Sequence, residues 1–182
     1  MWINEKCTSD LLPFQQEVVD EAMKQITLKE ELCSKDITDT NQFTAFIYEM
    51  EIERLKYLIR SYLRCRLQKV ERYHAYITKK QYMKGRLSTD EMHYCNKYAL
   101  LVENHFNQSF LHALDQGLDR MEPDSVQAPS MNQYVFCTPT MDIDDVQIGD
   151  DDQPVTLMQD GIYLLKYSSI HSLVETRKVN LI

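Results

Sequence analysis

The sequence has 182 residues, of which 43% are apolar and 26% charged, and a formal net charge of −8. That length suits one domain or two small ones, with enough apolar surface for a real core. Four glycines, Gly85, Gly117, Gly149 and Gly161, are too few for collagen-like, low-complexity or glycine-rich phosphate-cradle designs. The charge is unevenly placed. Residues 1–121 hold 17 Lys and Arg against 18 Asp and Glu, a balance of −1, whereas residues 122–182 hold 3 against 10, a balance of −7. By net charge, neither region is a basic nucleic-acid-binding domain.

Cys7, Cys33, Cys65, Cys95 and Cys137 are odd in number and widely spaced, which fits reduced thiols better than a disulfide framework. No apolar run approaches the ~18 residues of a membrane span, and Met1-Trp2-Ile3-Asn4-Glu5-Lys6 does not read as a signal peptide. A soluble intracellular protein without a membrane partner is the expectation.

Residues 14–122 contain no proline, and their only glycines are Gly85 and Gly117, so long helices are expected. Pro13 is placed in the first turn of one of them, followed by Phe14, Val18, Ala22 and Ile26 at helical spacing. Asp39 and Gln42 read as a capping pair for a second helix over residues 40–80, roughly 60 Å if continuous. That is too long for a compact single-layer core to cover. Ser88 with Glu91 reads as a capping box opening a third helix, with Gly117 near its end.

The character changes at residues 122–133, a linker with two prolines and two serines. Short β-like segments follow at residues 134–138, 143–148, 155–159 and 162–167, with Asp160-Gly161 read as a hairpin turn before the last of these. Residues 170–176 suit one or two helical turns and residues 179–182 a final strand. The fold class is therefore α+β: a helical domain over residues 1–121, the linker, and a small β-rich domain over residues 134–182. A β unit of that size is marginal alone and is expected to lean on something else.

Enzymatic chemistry finds little support. The acidic stretch at residues 142–153 fails as a calcium loop, because Val146 and Gln147 stand at its fifth and sixth positions and Gln153 at its twelfth. His74, His93, His105, His112 and His171 form no metal-ligand spacing. Cys65 has basic neighbours that could lower its thiol pKa, but no paired base. No cofactor, metal or catalytic residue is expected. The most pronounced polar pattern lies in the long helix, where Arg54, Lys56, Arg60, Arg64, Arg66, Lys69 and Arg72 are interleaved with Tyr57 and Tyr62. This could bind phosphate, as in a nucleic-acid-binding helical module over residues 54–72. The cations point around several sides of the helix, however, so ion pairs within a bundle or across a subunit boundary are the favoured reading.

The stretch over residues 47–57, IYEMEIERLKY, and its continuation over 61–71, SYLRCRLQKVE, resemble the signature helix of the Sld-five family of the GINS complex. Asn4-Glu5-Lys6 before Leu11-Leu12-Pro13 resembles the end of that family's first helix and the turn after it. Leu87-Ser88 with Glu91, then Tyr134-Val135-Phe136, and then Val179 with Leu181-Ile182 continue the likeness to the end of the chain. The resemblance implies a structural, non-catalytic subunit of a nuclear heterotetramer acting in initiation and elongation of DNA replication. Its implied partners are three sister subunits, the MCM ring with a RecJ-like companion and, indirectly, the leading-strand polymerase; DNA contact by this subunit alone is not expected. Candidate subunit-interface residues are Glu51, Arg54, Tyr57, Tyr62, Arg64, Arg66, Leu67, Tyr134, Leu181 and Ile182. The chain begins near the end of the family's first helix, so docking carried by a preceding acidic tail is not assigned. Arg177 stands where relatives often have glycine, at a turn that would suit a left-handed backbone.

Overall fold

The computed structural model describes residues 1–35, 42–114, 126–147 and 155–182. Asp39 of the expected capping pair, Gly117 and residues 148–153 of the acidic stretch lie outside them. A short helix α1 (Trp2–Cys7) comes first, and an extended turn then leads to α2 (Gln16–Lys35). Pro13 and Phe14 precede α2 and do not open it, which corrects the expected start. There the backbone is held from outside, since the Phe14 N–H donates to the Arg86 carbonyl at 3.0 Å.

The long helix is real: α3 (Gln42–Lys79) spans 38 residues, roughly 57 Å at the rise of an α-helix. It bends at Tyr73, whose φ of −109° and ψ of 16° leave the helical region. One turn of helix, α4 (Gln81–Lys84), reverses the chain and buries Met83. Then α5 (Thr89–Ser109) opens on the expected box: the Glu91 N–H donates to Ser88 Oγ at 3.2 Å, and the Ser88 N–H donates to Glu91 Oε2 at 3.0 Å. Leu11, Val70, Tyr73, Ile77, Met83 and Cys95 form the buried core of this helical part.

The C-terminal part has β1 (Tyr134–Pro139), β2 (Ile143–Val146), β3 (Val155–Leu157), β4 (Tyr163–Lys166), α6 (Tyr167–Glu175) and β5 (Val179–Leu181). All pairings are antiparallel, in a three-stranded sheet of order β4-β1-β5 and a separate pair β2-β3. Asp160-Gly161 is therefore no hairpin turn, because β3 and β4 belong to different sheets. It is a corner. Asp160 takes a left-handed φ of 57°, and a Cβ on Gly161 would lie 2.7 Å from the Tyr163 ring.

Alternation along β1 turns Val135 and Cys137 inward, where they meet Leu165, Tyr167, Ile170 and Val174. Cys7 and Leu12, from the N-terminal segment, pack against that same core. The β unit does lean on something else: the N-terminal segment of its own chain.

Candidate assembly surface

One arginine organises the inner face of α3. Arg66 is completely buried, and its Nε and Nη2 donate to the two oxygens of Glu91 at 2.7 and 2.9 Å. Its Nη1 reaches Glu5 Oε2 at 3.1 Å and the Leu12 carbonyl at 2.6 Å, while Nη2 also reaches the Arg86 carbonyl at 3.0 Å. The rings of Phe14 and Tyr62 lie 5.1 and 5.6 Å from the guanidinium carbon. One side chain thus ties α1, the turn after it, α3 and the cap of α5 together. Burial would lower its pKa, but the Glu91 hydrogen bonds and the charges of Glu5 and Glu91 outweigh that and hold the guanidinium above its ordinary value.

Lys69, one turn on, completes the set. Its Nζ donates to Glu5 Oε1 at 2.8 Å, Thr8 Oγ1 at 2.9 Å, and the carbonyls of Glu5 and Asp10 at 2.5 and 2.7 Å. Cys65 lies beside these cations, yet burial outweighs them and pushes its thiol up. The structure therefore offers no thiolate there, against the reading from its basic neighbours.

A second polar cluster clamps the β unit to the helices. Arg86 Nη1 contacts Asp10 Oδ2 at 2.6 Å, and its Nη2 contacts Glu175 Oε1 at 2.5 Å. His171 Nε2 stands 3.2 Å from the same Asp10 oxygen. Asn4 adds a strand-like contact, accepting the Leu181 N–H on its Oδ1 at 2.9 Å.

The outer face of α3 is bare. At 100° per residue Ile52, Tyr62, Arg66, Val70, Tyr73 and Ile77 fall on one side, and all are buried. Roughly opposite lie Phe43, Phe46, Met50 and Tyr57, exposed at 76%, 57%, 59% and 61%. Leu100 and Leu101 on α5 are likewise uncovered, as are Tyr134, Phe136 and Leu164 on the outer face of the three-stranded sheet. Large apolar residues exposed together on successive elements mark interaction surfaces.

The sequence-derived candidates divide accordingly. Tyr62, Arg66 and Leu181 are buried in this chain's own interior. Glu51 and Arg54 pair with each other at 2.7 Å on the surface. Tyr57, Arg64, Tyr134 and Ile182 are exposed, and Leu67 is half-buried. Residues missed by sequence reasoning are Glu5, Asp10, Arg86 and His171, whose partners are far away in the chain. Four of the seven cations in the basic run, Arg54, Lys56, Arg66 and Lys69, are held in ion pairs within the chain. That leaves a direct phosphate grip by the whole run unsupported.

The model of the GINS complex protein helical bundle domain matches residues 15–110, and that of the DNA replication complex GINS protein SLD5 C-terminus matches residues 129–182. The chain belongs to the SLD5 family of GINS proteins. A protein of Dictyostelium discoideum named DNA replication complex GINS protein SLD5 is 38% identical over 187 residues, covering 100% of this chain and 88% of the relative. The Yarrowia lipolytica protein of the same name is 31% identical over 98% of this chain and 72% of its own length. The Schizosaccharomyces pombe protein is 27% identical over 100% of this chain and 88% of its own. Both SLD5 matches fall on the parts described above, the helical bundle and the small β unit.

Proposed function

We propose that this chain is a non-catalytic structural subunit of the GINS heterotetramer and acts in the nucleus in the initiation and elongation of DNA replication. The observation that carries this reading is the two-sidedness of α3. Its inner face is consolidated around Arg66, while Phe43, Phe46, Met50 and Tyr57 on the other face have no cover among the described residues. A helix that has completed its own core and still exposes a run of large apolar side chains is built to be covered by another chain. Assembly is assigned to the helical domain, residues 1–121, joined through residues 122–133 to the β-rich domain, residues 134–182. Of the candidates, Glu51, Arg54, Tyr57, Arg64, Leu67, Tyr134 and Ile182 are retained as contacts. The assembled complex would join the MCM ring and its RecJ-like companion, and indirectly the leading-strand polymerase.

Co-expression with the three sister subunits, followed by native mass measurement, tests this. A stoichiometric four-chain complex is expected. A chain that stays soluble and monomeric, with no partner retained, would overturn the reading.

A further inference from the structure

A cavity of about 280 Å³ opens where the end of α1, one side of α3 and the residue before β1 meet. Lys6, Gln68, Arg72 and Gln133 stand exposed around it, and no acidic side chain lines it among the described residues. Gln68 and Arg72 are four residues apart and share a face of α3. Lys69, in the wall, brings little net field: it and Arg66 balance Glu5 and Glu91, and its ammonium is spent on Glu5, Thr8 and Asp10. Lys6 and Arg72 are different. Neither makes an ion pair among the described residues, and Lys6 Nζ lies only over the Trp2 ring, at 5.4 Å from its centre. Two unbalanced cations thus line one concave space, whose low-dielectric walls concentrate their field. The wall adds an independent sign. Tyr73, at the bend of α3, is only 5% exposed, yet its hydroxyl makes no hydrogen bond among the described residues. A buried hydroxyl seldom goes without a partner. Tyr167 Oη is sealed off in that state, whereas Tyr73 Oη keeps contact with solvent, and the cavity is the opening that Tyr73 lines.

We propose that this cavity binds a phosphoryl dianion, as inorganic phosphate or as a phosphomonoester. A phosphoryl group carries close to two negative charges at neutral pH and three strong acceptor oxygens. Lys6 and Arg72 match the charges. The Tyr73 hydroxyl and the Gln68 amide, which has no partner of its own among the described residues, supply further donors. A carboxylate has one charge and two oxygens, and would leave one cation unbalanced. A nucleic-acid strand suits the site no better, because each diester carries a single charge and its backbone must enter and leave again, which an open track permits and a cavity does not. The volume is near the lower end for small-molecule sites, ~300–1,000 Å³, so a short organic group fits beside the phosphoryl, against Cys7 and Cys65. Every lining residue belongs to this chain, and the inference does not rest on the assembly role.

The full chain is titrated in the assembly state in which it purifies, so that failure of the assembly role leaves this test intact. The probes are inorganic phosphate and N-acetyl-O-phosphoserine amide, with acetate for comparison, and calorimetry reads the binding. Saturable binding of a phosphoryl probe with Kd below about 1 mM is expected, at least ~tenfold tighter than acetate. Tighter binding of the phosphoserine derivative identifies a monoester as the occupant; equal or tighter binding of inorganic phosphate identifies the free ion. Arg72→Gln and Lys6→Gln, both at exposed positions, should each weaken binding about tenfold, because each removes a charge-assisted contact. Tyr73→Phe should weaken it about threefold and leave the thermal midpoint of the unliganded protein unchanged, since the hydroxyl bonds nothing within the chain. Arg60→Gln is the control: Arg60 is exposed on the same helix but outside the cavity, and its loss should leave binding unaltered. The proposal would be overturned by absence of saturable binding, by equal affinity for acetate, or by unaltered affinity in both Arg72→Gln and Lys6→Gln. An equal loss in Arg60→Gln would also overturn it, as would displacement of bound phosphate by a single-stranded oligonucleotide without a terminal phosphate.

Discussion

Arg66 and Glu91 lie 25 residues apart in sequence, yet Arg66 Nε meets Glu91 Oε1 at 2.7 Å and both residues are buried. The same carboxylate closes the capping box of α5 through the Ser88 N–H. One acid therefore starts a helix and neutralises the guanidinium beneath it.

Breaking this pair from one side leaves uncompensated charge. Arg66→Ala is expected to cost about 3–5 kcal/mol, because Glu91 then remains buried without its cation and Glu5 keeps only Lys69. Arg66→Met with Glu91→Gln should recover much of that loss, since those two charges leave together and Glu5 keeps Lys69. Urea unfolding of the purified chain measures both. If Arg66→Ala behaved like an exposed substitution, within ~0.5 kcal/mol, the hub would have no energetic role.

Ser88→Ala removes the other half of the box, the acceptor for the Glu91 N–H. A loss of about 1 kcal/mol is expected, read as a lower thermal midpoint. Ser88→Asp should retain most of the stability, because a carboxylate caps the same amide and favours the positive end of the helix.

The clamp around Asp10 makes docking of the β unit sensitive to acid. Burial raises the Asp10 pKa, but the His171 hydrogen bond, the Arg86 guanidinium and the Leu11 N–H outweigh it and hold the carboxyl below its usual 3.8. A carboxyl lowered by folding contributes stability that is complete above its unfolded value and disappears as pH falls through the folded value. Asp10→Asn should therefore be less stable than wild type at neutral pH, and the difference should shrink progressively below about pH 4. Thermal unfolding of both proteins across pH 7 to 3 provides the comparison. A gap that widened in acid would contradict the clamp.

Arg177 occupies the left-handed region at φ 60°, between α6 and β5. Any L side chain is strained there by roughly 1–2 kcal/mol, and glycine is not. Arg177→Gly is expected to be neutral or stabilising by up to about 1 kcal/mol, since glycine also loses more freedom on folding and the contact with Gln15 Oε1 goes. Arg177→Val, β-branched at the same φ, should be clearly destabilised. Thermal midpoints that ranked valine above glycine would contradict this account of the turn.

The features legible in the sequence are local or periodic. Ser88 and Glu91 are three residues apart and announce their helix, and the absence of proline over residues 14–122 announces α3. The left-handed turn at Arg177 was signalled by a resemblance to chains with glycine there. What escaped depends on distance along the chain. Arg66 reads as a surface cation because its partners, Glu5 and Glu91, are 61 and 25 residues away, and no spacing rule joins them. Asp160-Gly161 signals a change of direction but not which strand the next one joins. Leu181 closes β5 with its side chain buried, and Ile182, the residue after the strand, is exposed.

The contact between Asn4 and Leu181 spans 177 residues. During synthesis at about 5–20 residues per second, the first helix leaves the ribosome roughly 9–35 s before the strand it must meet. The helical part can collapse around Arg66 in that interval, but the seat for β5 stays open until translation is nearly finished. Chaperone occupancy of a nascent chain stalled before residue 179 should therefore centre on α1 and the turn behind it.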